Sequence, residues 1–145
     1  MSATPDAEVC TPLDADRASN ALRRATPLQH LVITRPSFDA GQLRGILRHE
    51  ITPHEVRRLR DRGVLLGVRC GRHGYLYPQF QVEMRHRRFS PVAAKVNRVL
   101  TAALDTEESL RWWFERSTRT GRTRTESLEL PDELMADARR RTATV

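Results

Sequence analysis

The stretch from residue 51 to residue 80, ITPHEVRRLRDRGVLLGVRCGRHGYLYPQF, constrains the fold most, because it predicts a short helix followed by a β-hairpin. Thr52 is a suitable N-cap, and Glu55, three residues later, completes a capping box. Pro53 suits the first helical position, where its missing N–H costs nothing. Gly63 tolerates the left-handed conformation that is common just past a helix end. The pattern therefore predicts a helix over residues 52–62.

Two strands joined by a tight reversal are predicted after this helix. Residues 64–68 and 75–80 have strand-like composition, and the two glycines of the segment 70–74 permit the chain to reverse between them. Pro78 cannot donate a backbone hydrogen bond, so it should lie at an edge or an end of the sheet. Arg69 and Arg72 place positive charge at the tip of the hairpin.

The predicted helix has a basic face. At about 100° per residue, Val56 and Leu59 fall on one side of the helix and a polar group falls on the other. That group is His54, Arg57, Arg58 and Asp61. A cationic helix followed by a cationic hairpin is the layout of winged helix-turn-helix DNA-binding proteins. The alternative is a solvated amphipathic helix beside a hairpin.

A second amphipathic helix precedes the basic one. Within residues 38–48, Leu43, Ile46 and Leu47 recur at i, i+3 and i+4. Its end at residues 48–50 leaves three or four residues before the capped helix at Thr52, which is the spacing that a helix-turn-helix requires. The basic helix therefore occupies the recognition position, and we predict a winged helix-turn-helix-like DNA-binding domain over residues 37–88.

In this interpretation the basic helix enters the major groove of double-stranded DNA. The side chains expected to face base edges are His54, Arg57, Arg58 and Asp61, and those expected to contact the DNA backbone are Arg69 and Arg72. One helix-turn-helix reads only a few base pairs, so we expect a homodimer that reads two half-sites.

The distribution of charge agrees with an anionic partner. The chain of 145 residues has a formal net charge of +7. Residues 37–88 hold eleven arginines and five acids, whereas residues 1–36 are neutral and residues 89–145 come to +1. A concentration of positive charge in one segment favours a polyanion such as DNA.

The flanking segments differ from this basic middle. Residues 1–36, rich in Ala, Thr, Pro and Asp, are expected to be partly disordered, with a weak helical pattern over residues 14–24. Residues 82–88 are interpreted as a charged connector. Residues 89–145 predict helices after the capping residues Ser90 and Asp105, another near Pro131, and a flexible tail. The predicted fold is mainly α with a small β-hairpin wing: a winged helix-turn-helix followed by a small helical domain.

Several short motifs together resemble the Xre/MbcA/ParS antitoxin-type proteins. They are the hairpin LLGVRCGRHGYLYPQFQ, the helical segments VNRVL (96–100) and RWWF (111–114), and Gly121-Arg122-Thr123 before Glu126 and Leu128. The resemblance covers roughly residues 51–128. It implies a helix-turn-helix part joined to a helical toxin-binding domain, an RES-type toxin as the partner, and autoregulation of the operon. Where such proteins usually have Asn-Pro and a later proline, this chain has Ser117-Thr118 and Arg124.

The resemblance also implies which residues bind the partner. They are Trp112, Gly121, Arg122 and Thr123, with the C-terminal tail over residues 139–145, and within it Arg139, Arg140 and Arg141, as the blocking element. Trp113 shares a face with Leu110 and Phe114, so we expect it in the core. Trp112 points about 100° away and is the better candidate for an interface. The Gly-Arg-Thr segment is equally well interpreted as a turn with a helix cap.

The sequence offers little for catalysis. The five histidines are scattered, and neither a metal-ligand spacing, a glycine-rich phosphate loop nor a nucleophile motif is present. We therefore expect no enzyme, no cofactor and no metal. Cys10 and Cys70 form no ligand pair, and no apolar run approaches a membrane span, so a cytoplasmic protein is expected. Two alternatives stay open: a stand-alone or phage-type transcriptional regulator without a toxin, and a nucleoid-type DNA-binding protein.

Overall fold

A computed structural model describes residues 24–144 of the chain, in which six α-helices accompany two small antiparallel sheets. In chain order the elements are α1 (Pro27–Ile33), β1 (Ser37–Asp39), α2 (Ala40–Ile46), α3 (Pro53–Asp61), β2 (Val68–Arg69), β3 (Tyr75–Pro78), β4 (Val82–Glu83), β5 (Arg88–Phe89), α4 (Pro91–Thr101), α5 (Thr106–Phe114) and α6 (Pro131–Ala143). Short 3-10 turns lie at Gly71–His73, Gln79–Gln81 and Arg124–Glu126. The predicted helical pattern over residues 14–23 and Cys10 lie outside the described residues.

The basic helix α3 forms where the capping signals predict it. The Glu55 N–H donates to the Thr52 hydroxyl over 3.1 Å, and the Glu55 side chain returns to the Thr52 N–H, so the capping box is complete. Gly63 follows with φ of 74°. A second capping box, between Asp39 and Gln42, starts α2. Local sequence therefore determines both helix starts.

The first sheet has the strand order β1-β3-β2, with all pairs antiparallel. The predicted hairpin is present but shorter than expected, since only Val68 and Arg69 pair on its first strand. Pro78 lies at the end of β3, as its missing N–H requires. Strand β1 was not predicted: Phe38 pairs with Tyr77, thirty-nine residues along the chain, and three residues carry too little local signal to reveal such a pairing.

The predicted connector at residues 82–88 is wrong. This segment begins a second hairpin, in which β4 pairs with β5 and Glu83 lies opposite Arg88. The turn is closed by the His86 N–H donating to the Glu83 carbonyl over 3.2 Å, and Arg87 takes a left-handed conformation with φ of 53°. No glycine occupies this position, so the usual turn signal is missing.

Two apolar cores lie side by side. One joins α1, α4, α5 and α6 to Leu66 and Val68 of the first hairpin, and the other joins α2 and α3 to Tyr77 and Val82. Val32 of α1 is fully buried in the first core. The described part of the N-terminal segment, residues 24–36, is therefore integral to the fold.

A buried polar chain crosses between the predicted domains. The amide of Gln81 bonds both the N–H (2.7 Å) and the carbonyl (2.9 Å) of Leu66. The Asn97 amide then donates to Gln81 Oε1 (3.0 Å) and to the Val64 carbonyl (2.9 Å), and accepts from Trp113 Nε1 (2.8 Å). Buried hydrogen bonds therefore connect residues on both sides of the domain boundary predicted at residue 88.

The C-terminal tail expected to be flexible is helical in the described residues. Helix α6 continues to Ala143 because Leu134 and Ala138 are buried against the core that α4 supplies. Arg141 additionally pairs with Glu108 of α5 at 3.3 Å. The prediction of a loose tail from Arg139 onward is therefore wrong for residues 139–143.

Candidate nucleic-acid interface

Helix α3 presents the predicted polar face to solvent. His54, Arg57, Arg58 and Asp61 are all exposed, while Val56 is buried on the opposite side. Within residues 24–144, neither Arg57 nor Arg58 has a carboxylate within 4.0 Å. Two guanidinium groups on one short helix thus keep their full charge and their hydrogen-bond donors for a ligand.

Arg60, on the same helix, has a different role that the sequence analysis missed. Its guanidinium lies 3.6 Å from the centre of the Tyr75 ring and donates to the Tyr77 hydroxyl over 2.9 Å. Burial raises the pKa of Tyr77, and the neighbouring Arg60 opposes that rise. Tyr75 and Tyr77 stand two apart on a strand and hence on one face, a signal that could have revealed this contact. Arg60 ties α3 to the hairpin.

The tip of the first hairpin is held in a defined shape. The Cys70 N–H donates to the Gly74 carbonyl over 2.7 Å, and Gly71 and Gly74 both have positive φ. Arg69 and Arg72 are exposed on either side of this loop. The Cys70 thiol is buried beneath it, and burial raises the pKa of the thiol. The tip therefore projects two cations from a closed loop.

The hairpin is also attached to α1. Gln29 Nε2 donates to the carbonyl of Arg69 over 3.0 Å. The hairpin is thus joined to α1 through Gln29 and to α3 through Arg60, and we call the six predicted residues, taken together, the basic surface. They are His54, Arg57, Arg58, Asp61, Arg69 and Arg72.

The predicted outward direction of Trp112 is wrong. Trp113 is buried as expected, but Trp112 is also buried, with 3% of its surface exposed. Its ring packs edge-on against Trp113 with the ring centres 5.1 Å apart, and the Arg124 guanidinium covers its other side at 4.5 Å. Periodicity along α5 could not show this, because the covering group comes from a later loop.

The Gly121-Arg122-Thr123 segment forms a compact turn. Gly121 has φ of 70°, and the Ser117 N–H donates to the Arg122 carbonyl over 2.8 Å. Arg122 pairs with Glu129 at 2.9 Å; the pKa of Glu129 is lowered, first by its own backbone N–H and then by Arg122. The Thr123 hydroxyl donates to Glu126 over 2.6 Å. These contacts agree with the interpretation as a turn.

The three C-terminal arginines lie on α6 and do not share one environment. Arg139 and Arg140 are exposed, Arg141 is half-buried, and Arg140 pairs with Asp137 at 3.3 Å. They directly follow the buried residue Ala138 and belong to helix α6 rather than to a loose tail. Among the described residues, no ion pair connects these arginines to the Gly-Arg-Thr turn.

An open groove of about 390 Å³ lies beside that turn. Its walls come from the α1–β1 connection, the end of β3, the last residue of α5 and the segment after the turn; they include Arg35, Gln79, Phe80, Phe114, Thr123 and Thr125. Phe80 and Phe114 meet edge to face with ring centres 6.0 Å apart, and the Arg35 guanidinium lies 4.2 Å from the Phe114 ring. The groove is therefore lined by two aromatic rings together with polar side chains.

Neither a metal centre nor a membrane span emerges from the described part of the chain. No three His, Cys, Asp or Glu side chains in residues 24–144 are grouped so that they could hold a metal ion. Across those residues, every helix is too short or too polar to cross a bilayer.

No protein-family model matches the sequence, and comparisons with curated proteins and with solved structures give no significant match. The resemblance to Xre/MbcA/ParS antitoxins therefore rests on the short motifs quoted above.

Proposed function

We propose that this chain is a winged helix-turn-helix protein that binds double-stranded DNA through its basic surface. The observation that carries the proposal is the pair Arg57 and Arg58 on α3, exposed and without an acidic partner among the described residues. Arginine pairs bidentately with guanine in the major groove, and a short exposed helix fits that groove.

The arrangement of elements supports this proposal. In chain order α2 is followed by α3 and then by the β2–β3 hairpin, but the six residues 47–52 separate the two helices, more than the three or four predicted, because α2 ends at Ile46. Arg60 of α3 contacts Tyr75 and Tyr77 of that hairpin. In a winged helix-turn-helix the recognition helix enters the major groove and the hairpin contacts the neighbouring DNA backbone, so a direct contact between α3 and the hairpin supports the proposal.

The two parts of the basic surface would contribute differently. Arg57 and Arg58 would supply sequence preference by contacting base edges, with His54 and Asp61 beside them. Arg69 and Arg72 would contact phosphates and give affinity that falls steeply with salt. Arg60 is engaged with Tyr75 and Tyr77 and would act by holding the hairpin in place.

The test is selection from a random duplex library with the full chain and two variants. Arg57→Ala/Arg58→Ala should lose the consensus that the unmodified chain selects. Lys95→Ala/Arg98→Ala, which removes two exposed cations from α4, is the matched control and should retain it. A double variant at Arg57 and Arg58 that still selects the same consensus would exclude α3 as the recognition helix. An unmodified chain that binds duplexes without any consensus would favour the nucleoid-type alternative.

We further propose that the C-terminal helices bind a protein partner, an RES-type toxin, as the resemblance implies, and that the chain autoregulates its operon. The specific observation in favour is the aromatic groove between Phe80, Phe114 and the segment that follows the Gly-Arg-Thr turn. It is wide enough for a peptide segment, and aromatic side chains at a groove are frequent binding hot spots. Trp112 would contribute only if Arg124 moved aside.

Co-expression with the product of the adjacent reading frame tests the partner. Gln79→Arg/Thr125→Arg adds charge at two residues that line the groove and should abolish protection of the cells while DNA binding persists. Thr118→Arg, on an exposed loop outside the groove, is the control. Protection that survives the groove variant excludes this surface. A neighbouring product that is not toxic would favour a stand-alone regulator.

We also propose a homodimer, because one α3 covers only a few base pairs. Sedimentation equilibrium at micromolar concentration, with and without duplex DNA, should give twice the chain mass. A monomer under both conditions would contradict the dimer.

A further inference from the structure

The second hairpin, β4–β5, carries a rigid cationic tip that the basic surface does not include. Its turn consists of Met84, Arg85, His86 and Arg87, all exposed. Its base is firmly held: Val82 is buried, Phe89 packs on the same core, and the Ser90 N–H donates to the Gln81 carbonyl over 2.8 Å. The tip therefore projects from an anchored base.

The tip is fastened to the helix-turn-helix by Arg87. Its side chain donates from Nε to the Ile46 carbonyl over 2.8 Å and also to the Gly45 carbonyl over 3.4 Å. Its own carbonyl accepts from the Arg48 N–H over 2.7 Å. A guanidinium at the end of α2 both satisfies free carbonyls and suits the negative end of the helix dipole. Hence the hairpin is fixed beside the turn between α2 and α3.

This attachment places the tip close to the proposed recognition helix. Five residues lead from Arg48, which contacts the tip, to Pro53, the first residue of α3. Five residues span at most about 18 Å, which corresponds to about five base-pair steps of one DNA strand. The hairpin therefore lies within about 18 Å of the start of α3, and a duplex that extended from α3 towards the α2–α3 turn would come within its reach.

The charges at the tip are only partly neutralised. Arg88 pairs with Glu83 at 2.8 Å, whereas Arg85 has no carboxylate within 4.0 Å among the described residues. Beside Arg85, Met84 is 53% exposed, the one strongly exposed large apolar side chain in residues 24–144. A single exposed methionine is ordinary. Its position next to an unpaired arginine on a rigid turn fits the sugar wall of a DNA groove, where methionine is among the side chains that proteins insert.

We propose that the β4–β5 hairpin is a second DNA-binding wing, in which Arg85 contacts phosphate and Met84 packs against the groove wall, while Arg87 positions both. This inference rests on the proposed DNA-binding function and extends its footprint to the α2 side of α3. The site is chemically a backbone site, so it adds affinity and fixes register without reading bases.

The experiment measures binding of the full chain to a duplex of about three helical turns, roughly 30 base pairs, over a series of salt concentrations. Arg85→Ala should reduce the slope of log K against log salt by about 0.9, the contribution of one phosphate contact. Arg85→Lys should restore most of that slope. Met84→Ala should lower affinity at every salt concentration without changing the slope. Arg98→Ala, which removes an exposed cation from α4, should change neither quantity.

The outcomes separate this inference from the proposed function. If Arg85→Ala behaves like Arg98→Ala while Arg57→Ala/Arg58→Ala loses binding, the second wing is excluded and the proposed function stands. If the unmodified chain does not bind duplexes, both are excluded. If Arg85→Ala and Met84→Ala bind DNA normally but lose protection in the co-expression assay, the hairpin is a protein-binding surface and the inference is overturned.

Discussion

The arginines of the middle segment and those of the C-terminal segment lie in opposite electrostatic settings. Six of the seven ion pairs in the described residues lie between residues 107 and 141. Only Arg88 with Glu83 forms one in residues 37–88, although that segment holds eleven arginines. The arginines are thus mostly paired with carboxylates in one region and mostly without a carboxylate partner in the other, among the described residues.

The difference follows from where the acids are. The C-terminal segment has nine acids for ten basic residues, and its helices bring them together, as Arg124 and Asp137 show at 2.7 Å. The middle segment has five acids, of which Asp39 and Glu55 are occupied as helix caps. Cations left without partners in a folded protein are available to an anionic ligand. The comparison therefore supports assigning DNA to the middle segment.

The first prediction concerns the polar chain that holds the two regions together. Asn97→Ala should lower the free energy of unfolding by about 4 kcal/mol, because it leaves the Val64 carbonyl and the Trp113 indole N–H without their partner at about 1–3 kcal/mol each and removes one of the two hydrogen bonds to Gln81 Oε1. Urea denaturation should still give one transition for the unmodified chain. Two separate transitions would mean that the regions are independent domains and would break the comparison.

Ser109→Ala is the matched control on α5. Ser109 is fully buried and its hydroxyl has no hydrogen-bond partner among the described residues. Removing an unpaired buried hydroxyl abolishes no contact, so stability should stay level or rise by about 1 kcal/mol. If Ser109→Ala lowered the free energy of unfolding as much as Asn97→Ala does, the destabilisation at both sites would come from lost packing and not from lost hydrogen bonds.

The second prediction tests the structural use of arginine in the C-terminal segment. Arg124 is 12% exposed at its side chain, bonds Asp137 and the Trp112 carbonyl at 2.7 Å each, and covers the Trp112 ring. Arg124→Ala should cost about 3 kcal/mol and shift tryptophan fluorescence towards the solvent-exposed value. Arg111→Ala breaks the exposed pair with Glu107 and should cost about 0.5 kcal/mol or less. Equal losses would contradict the distinction.

The third prediction concerns the close approach between α3 and α4. A Cβ on Gly63 would lie 2.1 Å from the Thr101 hydroxyl, and its φ of 74° also disfavours a side chain. Gly63→Ala should therefore cost about 2 kcal/mol or more. Gly45→Ala, in α2 with open space around its Cβ, should instead stabilise by about 0.5–1 kcal/mol. Thermal denaturation should give shifts of opposite sign; shifts of the same sign would refute the close packing.

The smallest effect is expected where the middle arginines are replaced. Arg57→Ala/Arg58→Ala should change the free energy of unfolding by no more than about 0.5 kcal/mol, because both side chains are exposed and unpaired. The same variant should lose DNA selectivity. A loss near 3 kcal/mol would mean that these arginines stabilise the fold as Arg124 does, and the contrast between the two regions would disappear.

The elements that could be predicted are those with a local signal. Helices α3 and α4 begin where Thr52 and Ser90 cap them, and the turn at Gly121 lies where the glycine permits a positive φ. Capping and turn geometry depend on residues two to four apart, so the sequence determines them before any packing occurs. The exposed basic face of α3 could also be predicted locally, because the helical repeat alone determines which of its side chains share a face.

Tertiary structure decided the rest through contacts between distant residues. Strand β1 exists because Phe38 meets Tyr77, Trp112 is buried because Arg124 covers it, and α6 continues because Leu134 and Ala138 pack in the core. Arg87 holds the second hairpin through the carbonyl of Ile46, forty-one residues away. None of these partners lies within a helical turn or a strand repeat, and local periodicity carries no information about them.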